Sequence, residues 1–191
     1  MNTIARLSSA ALLPALLAGC LSTTPPEVSD WNVECTDAAK RVVGNPRFGV
    51  ARLALVELRA PYAVREIAVL RADGSVAFDP FNAYAAQPVY LLKAAAHDSL
   101  ARSGLFSHVV GSGSSADADV EVEVAVTRLA LDCRNEGRRR AVAALSVRVM
   151  RAHEIVADAS GSGSADASGP DFSAAFSAAV TAAFSDALKS L

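Results

Sequence analysis

The sequence is short of cysteine, of tryptophan and of any excess of charge. Its 191 residues include three cysteines and one tryptophan, and the formal net charge is −2. A nearly balanced charge offers no basic footprint for nucleic acid. The only long hydrophobic run stands at the N-terminus, and it is too short to span a bilayer as a stable helix. We therefore expect neither a nucleic-acid-binding protein nor a membrane-spanning one.

The motifs of common enzymes are also missing. No Cys-x-x-Cys or Gly-x-Ser-x-Gly occurs, and the glycine-rich stretch 111–116 lacks the Gly-Lys-Ser/Thr ending of a phosphate loop. His97, His108 and His153 share no metal-ligand spacing with one another or with the cysteines. Asp98 directly follows His97, and we expect neighbouring helix residues to point to different sides. The sequence predicts a protein that is not an enzyme and needs no metal or cofactor.

Residues 1–19 have the pattern of a lipoprotein signal peptide. Arg6 is the only charge before an apolar run over 7–17, which has about the length of a signal-peptide h-region. The segment ends in Leu-Ala-Gly-Cys20, which resembles the bacterial lipobox, where cleavage precedes the cysteine and its thiol receives a diacylglycerol. The alternative is an ordinary secretory signal with a chance cysteine. We predict lipidation at Cys20 because this cysteine stands at the end of the apolar run.

A lipid anchor would hold the rest of the chain at a membrane surface. Leu21, and not aspartate, follows the lipidated cysteine, which favours the outer membrane by the sorting rule of enteric lipoproteins. Residues 20–48 are predicted to be the lipidated tether and an N-terminal segment, in which residues 21–30 form an extended linker. Residues 49–191 are then one periplasm-facing domain, long enough to bury a proper core.

Two cysteines remain after lipidation. Cys35 and Cys133 form an even pair, and an oxidising periplasm permits a disulfide between them. Such a bond would close a long loop, and long loops are those in which a cross-link is expected to stabilise most. Two buried free thiols are the alternative, because cysteine is often buried. The sequence favours the disulfide.

The clearest structural pattern lies in residues 66–110, which predict strand, turn, strand, helix and strand. The Asp-Gly pair at 73–74 lies between two apolar runs and indicates a hairpin. The Asp-Pro pair at 79–80 predicts the end of the second strand. Apolar residues at helical spacing follow Pro88, a residue favoured at the first helical position, and predict a helix over 88–104.

The second half of the chain predicts more strands and one more helix. Alternating valines indicate a strand over 119–133, and a change in their phase predicts a β-bulge near Thr127 or a strand whose neighbours change along its length. A return strand follows over 142–149, the stretch 159–170 has the composition of a flexible linker, and residues 172–190 have a helical apolar stripe. We expect an α/β fold in which two main helices pack on a mixed sheet of about five strands.

Residues 66–110 also resemble a known family. An Arg-x-Asp-Gly turn is followed by Phe-Asp-Pro-Phe-Asn, an aromatic residue, Ala-Ala-x-Pro, and a helix closing on Leu-Ala-Arg-Ser-Gly-Leu-Phe. This order resembles the ABC-type transport auxiliary lipoproteins, the family of the paraquat-inducible lipoprotein C, over roughly residues 50–190. The chain departs from the family pattern at Tyr84, where tryptophan is usual, and at 70–71, where Tyr-Arg is frequent.

The resemblance implies a fold and a function. The implied fold is a three-layer sandwich similar to the N-terminal domain of TolB. The implied function is that of a non-enzymatic accessory to an ABC/MCE-type system, which moves lipids between the two membranes of Gram-negative bacteria. Its partners would be an MCE-domain protein and an ABC permease with its ATPase, and a homo-oligomer is plausible because related lipoproteins form rings. A structural or assembly lipoprotein of the envelope is the main alternative, and a periplasmic hydrolase is a weaker one.

Two groups of residues are candidates for contacts. Arg138, Arg139 and Arg140 form the one dense basic patch, which suits the phosphates of lipids or an acidic partner. The alternative is a solvated turn that protects the edge of a sheet. Trp31 is expected to anchor the N-terminal segment at the edge of the core rather than to serve as a platform for a ligand.

Overall fold

The structure is a computed structural model that describes residues 27–34, 45–169 and 171–191. These ranges hold eight strands and two helices. The elements, in chain order, are β1 (Ser29–Trp31), β2 (Phe48–Leu58), β3 (Glu66–Leu70), β4 (Val76–Tyr84), α1 (Pro88–Arg102), β5 (Phe106–Gly111), β6 (Val120–Asp132), β7 (Arg140–Arg151), β8 (Glu154–Asp166) and α2 (Phe172–Ser190).

Strand β6 is the centre of a single mixed sheet. Its alternating residues Val122, Val124 and Val126 are buried, as the period of two in the sequence requires. On one side β6 pairs antiparallel with β7. On the other side its first half pairs parallel with β2, and its last residues pair parallel with β3. The strand order is β1-β4-β3-β6-β2-β5, and β7 and β8 extend the sheet beyond β6.

A β-bulge corrects the phase of β6. The register with β7 shifts between Val126 and Arg128, which confirms the predicted bulge near Thr127. Because a bulge adds one residue to one strand, it returns Leu129 and Leu131 to the buried face of the sheet. The change of phase in the sequence therefore reflects one continuous core face and not a change of face.

Both helices lie on the same face of the sheet. Helix α1 packs on β2 and β5, helix α2 packs on β7 and β8, and the two helices contact each other. Exposed charged residues, among them Glu121, Arg148 and Asp158, occupy the opposite face. The described residues therefore form two layers, one of helices and one of sheet, where the resemblance implied three. In these same ranges, neither helix is long and apolar enough to cross a membrane.

The predicted α/β sandwich, with a mixed sheet and two main helices, is confirmed, but the number of strands is not. The predicted count of about five is wrong, because the described residues contain eight strands. Two of the strands that the pattern missed, β1 and β8, lie at opposite ends of the sheet. A strand at an edge makes ladder bonds on one side only, so its sequence need not alternate as a central strand does. Residues 29–31, which belonged to the expected linker and N-terminal segment, form β1.

Residues 159–166 are not the flexible linker that their composition predicted, because they form most of β8. Their small side chains let α2 approach the sheet closely. A Cβ atom added at Gly161 would overlap with the carbonyl oxygen of Ala183, and one added at Gly163 would overlap with that of Ala179. Glycine is therefore required here by the contact between helix and strand, and not by chain flexibility.

The two predicted helices and the first hairpin are confirmed. Helix α1 begins at Pro88 and ends at Arg102, close to the predicted 88–104. Helix α2 covers Phe172–Ser190, and the side chain of Asp171 accepts a hydrogen bond from the backbone N–H of Ala174 at its start. Gly74 has a φ of 83°, which is the conformation that the Asp-Gly signal anticipates.

The contact between α2 and β8 gives a testable prediction. Gly163→Ala should lower the free energy of unfolding by about 1–3 kcal/mol, because the added methyl group forces the helix away from the sheet. Gly113→Ala is the matched control, since a Cβ atom at Gly113 meets no other atom within 4 Å. Urea denaturation followed by circular dichroism measures both changes. Equal stabilities of the two variants would show that the helix adjusts without cost.

Candidate functional site

Strand β4 carries a wide bulge opposite β3. Phe78 pairs with Ala68, whereas Ala83 pairs with Glu66, so β4 has more residues between the two pairs than β3 has. The four residues 79–82 lie opposite the single residue Ile67, so β4 has an excess of three. The proline among them lacks a backbone N–H, and in the bulge no ladder bond is lost for it. The predicted end of the strand at the Asp-Pro pair is therefore wrong, because the bulge accommodates the proline and β4 continues.

Side chains fix the conformation of the bulge. One carboxylate oxygen of Asp79 accepts a hydrogen bond from the backbone N–H of Phe81 at 2.8 Å. The other accepts one from Nδ2 of Asn82 at 3.0 Å. The amide oxygen Oδ1 of Asn82 in turn accepts a hydrogen bond from Nε1 of Trp31 at 2.8 Å. The bulge is thus bonded both to itself and to the neighbouring strand.

Strand β1 holds the bulge from outside. It runs parallel to β4, with Ser29 opposite Asn82. The ring of Trp31 packs against that of Phe172, with 5.6 Å between the ring centroids. The guanidinium of Arg139 lies over the same Phe172 ring, 5.5 Å from its centroid. A continuous series of contacts therefore joins the turn between β6 and β7 to the bulge, and Trp31 lies at the edge of the core.

The end of β4 is fixed in the core. Tyr84 is buried and packs edge-on against Phe176, with 5.5 Å between the ring centroids. Burial raises the pKa of its hydroxyl, for which no hydrogen-bond partner exists within the described ranges. The backbone oxygen of Tyr84 accepts a bond from Nε of Arg65 at 3.0 Å, and that guanidinium also pairs with Asp30 at 2.9 Å. Arg65 thereby ties β1 and β4 together.

This rigid frame presents large apolar side chains to solvent. Phe81 is 52% exposed and Phe78 is 46% exposed, and Val76 at the start of β4 is 41% exposed. Val28, which is 49% exposed, comes directly before the residue that pairs with Asn82 and so lies next to Phe81 in the register. We call Val28, Val76, Phe78 and Phe81 the edge patch. Exposed apolar residues gathered on a rigid frame are typical of a binding surface.

Sequence reasoning missed the edge patch although it singled out the residues that form it. The segment Phe-Asp-Pro-Phe-Asn was interpreted as a family motif and as the end of a strand. An aspartate that hydrogen-bonds the backbone two residues later is a known turn former, and here it is followed by proline. That combination between two phenylalanines was the available sign of a bulge that carries the second ring.

The three arginines of the basic turn have different surroundings. Nη2 of Arg139 donates to the carbonyl oxygen of Ser168 at 3.2 Å, and Nη2 of Arg140 donates to Oγ of Ser164 at 2.6 Å. Both side chains help to hold the turn against the end of β8. Arg138 is exposed, and its side chain has no partner within the described part of the chain. Contact of this turn with phosphates or an acidic partner stays a prediction.

The predicted disulfide and lipidation site lie partly outside the described residues. Cys133 is half-buried directly after β6, and its backbone N–H donates to the carbonyl oxygen of Leu70 at 3.0 Å. Burial raises the pKa of its thiol, although nearby Arg139 acts in the opposite direction. Cys20 and Cys35 fall outside the described ranges, so lipidation and the disulfide remain predictions.

One acid–base pair departs from its sequence expectation. Nδ1 of His97 lies 3.7 Å from a carboxylate oxygen of Asp98, so the expectation that the two side chains point apart is wrong. The distance exceeds that of a hydrogen bond, and both side chains are about half exposed. The carboxylate also lies 3.6 Å from Nη2 of Arg102. Within the described ranges, no three histidine, cysteine or acidic residues gather in a group that would hold a metal.

Comparison with solved structures identifies the fold. A Xanthomonas campestris protein of the DUF330 family superposes with a TM-score of 0.58 at 17% identity, covering 82% of this chain and 86% of that one. An uncharacterized protein has a TM-score of 0.51 at 10% identity, covering 80% and 88%. A PelC dodecamer from Paraburkholderia phytofirmans has a TM-score of only 0.35 at 9% identity, covering 80% and 88%, and supports no argument about this chain.

These comparisons show that the chain shares its fold with a DUF330 protein, and they assign no activity to it. No family model matches the sequence. No curated protein matches it either.

The hydrogen bonds of the bulge give a second prediction. Asn82→Ala removes the acceptor of the indole N–H of Trp31 and a donor to Asp79, so we expect a loss of about 1 kcal/mol in stability. Trp31 is the only tryptophan, so its fluorescence should shift to longer wavelength as β1 loosens. Asn135→Ala, in the exposed turn after β6, is the control. An unchanged emission spectrum in Asn82→Ala would mean that β1 docks without this bond.

The thiol of Cys133 gives a third prediction. In a Cys20→Ser/Cys35→Ser variant, Cys133 is the only thiol, and its alkylation by iodoacetamide should reach half of its maximum rate at a higher pH than in the same chain unfolded in urea. The reason is that burial disfavours the thiolate, which is the reactive form. A midpoint at or below that of the unfolded chain would show that the charge of Arg139 outweighs burial.

Proposed function

We propose that the chain is an outer-membrane lipoprotein facing the periplasm, and that its domain is an accessory component of an ABC/MCE-type intermembrane lipid transport system. The observation that carries the proposal is the position of the Phe-Asp-Pro-Phe-Asn segment. This segment is part of the pattern that carries the family resemblance, and in the structure it contains a bulge and two half-exposed phenylalanines. A motif at the surface favours a role in contacts rather than in the core.

The proposed anchor is close along the chain to β1, the strand that pairs with β4 beside the bulge. Cys20 ends the lipobox-like segment, and nine residue steps separate it from Ser29. A fully extended chain of that length spans at most about 30 Å. Since Ser29 pairs with β4 beside the bulge, an acylated Cys20 would keep this edge of the sheet near the membrane. Several acyl chains of a mature lipoprotein would hold it there firmly.

The domain would act by binding and not by catalysis. In the proposed system the energy comes from a separate ATPase, and the permease and the MCE-domain protein provide the route for the lipid. The accessory domain needs a rigid surface for docking on the partner. Arg138 is the exposed group that we assign to such contacts.

A pull-down of the acylated chain tests the proposal. The affinity tag belongs at the C-terminus on a Gly/Ser linker, because the N-terminal cysteine is the proposed acylation site and the side chain of Leu191 is buried. We expect mass spectrometry of detergent-solubilised envelopes to recover an MCE-domain protein or a permease. Recovery of wall-synthesis or assembly proteins instead would support the structural alternative and contradict the transport role.

The anchor has its own test. Cys20→Ala should lower the fraction of the protein that sediments with outer membranes by at least roughly tenfold, because all acyl chains are lost. Cys133→Ala is the matched control, since that cysteine belongs to the domain. Full attachment and full complementation by Cys20→Ala would refute the lipoprotein assignment.

A further inference from the structure

We propose that the edge patch inserts into the surface of the lipid bilayer that holds the anchor, so that the domain has two attachments to the membrane and a defined orientation on it. This inference rests on the proposed lipidation of Cys20. It adds that Phe78 and Phe81, with Val28 and Val76 beside them, are the contact between the folded domain and lipid.

The first argument is the position of the patch relative to the anchor. Val28 belongs to the patch and lies eight residue steps after Cys20, so the patch begins where the chain leading from the anchor joins the sheet. The chain between them cannot carry Val28 farther than about 30 Å from Cys20. Of the exposed large apolar side chains in the described ranges, Val28 is nearest to the anchor along the chain.

The second argument is the effective concentration that a tether provides. Once the acyl chains are in the bilayer, contact of the patch with the same bilayer is intramolecular, and a short flexible link gives an effective concentration in the millimolar range. An edge patch that binds lipid only weakly by itself is then in contact with the bilayer most of the time. Two signals, one acyl anchor and one further membrane contact, are the usual requirement for stable attachment.

The third argument is the chemistry of the frame. Inserting a surface into the headgroup region is costly when it carries uncompensated charge or free backbone donors. The carboxylate of Asp79 accepts two hydrogen bonds inside the bulge, and that of Asp30 pairs with Arg65 at 2.9 Å. The backbone N–H of Phe81 is already bonded. The carboxylates of Asp79 and Asp30 and the backbone N–H of Phe81 are therefore already bonded where the phenylalanines meet lipid.

The experiment uses the single tryptophan as a reporter. Trp31 is bonded to Asn82, the residue next to Phe81, so it lies directly behind the patch. The acylated full chain is reconstituted into phosphatidylcholine vesicles with and without bromine on the acyl chains, and quenching of the Trp31 emission is measured. We expect quenching by the brominated lipid in the natural chain and its loss in Phe78→Ser/Phe81→Ser.

The matched control replaces two exposed apolar residues at the opposite edge of the sheet. Ile155→Ser/Val156→Ser changes β8, where the side chains are 58% and 39% exposed, and it should leave the quenching unchanged. Circular dichroism and thermal unfolding verify that both double variants keep the fold. This is expected because all four side chains are largely outside the core.

The outcomes separate this inference from the proposed function. Equal quenching in all three proteins, or none in any of them while the chain is acylated and bound to vesicles, overturns the patch contact and leaves the anchor intact. The same result together with loss of a co-purified protein in Phe78→Ser/Phe81→Ser would identify a protein as the occupant instead, and it also overturns the inference.

If mass spectrometry finds no acyl group on Cys20, the proposed anchor fails. Co-sedimentation of the non-acylated Cys20→Ser chain with phosphatidylcholine vesicles then decides the remaining question. Binding that Phe78→Ser/Phe81→Ser abolishes supports the patch contact by itself. Absence of binding in the Cys20→Ser chain overturns it.

Discussion

The arrangement of the domain depends on the backbone hydrogen bonds along both edges of β6. One edge is occupied by β7 along the whole strand, and the other is shared between β2 and β3. Because β2 and β3 occupy successive parts of the same edge, the chain between them cannot form a simple hairpin. The hairpin of β3 and β4 therefore lies to one side of β6, and β1 pairs with β4 as the outermost strand there. The position of the edge patch follows from this branching.

Hydrogen-bonded polar side chains next to the edge patch fix the positions of its exposed apolar side chains. Asp79, Asn82 and Trp31 form one series of hydrogen bonds, and Phe172 supports the indole ring from the core side. Each polar group in the series is satisfied by the next, so the exposed phenylalanines are held in place at little cost. The same series joins β1, the first described strand after the proposed anchor, to β4 and to the core residue Phe172.

The two helices use the sheet in different ways. Helix α1 buries leucine and alanine side chains over β2 and β5, which is the usual contact between a helix and a sheet. Helix α2 instead presses its backbone against Gly161 and Gly163 of β8. The backbone amide of Ser162 between them donates to Asp186 of α2 at 3.0 Å, so the helix also occupies part of an otherwise open strand edge. One face of the sheet is covered in this way, and the other carries exposed charged residues.

The sequence by itself determined the elements whose pattern has a local cause. The valines of β6, the bulge at Thr127, the Asp-Gly turn and both helices were predictable, because periodicity and turn chemistry act within a few residues. Only the tertiary structure decided the rest. Gly161 and Gly163 stand in a stretch with the composition of a linker, and only the packing of α2 on them requires glycine there. Phe81 stands beyond the predicted end of a strand, and only the bulge lets β4 continue through it with its side chain exposed. In both cases the decisive neighbour is distant in sequence, and no local pattern records it.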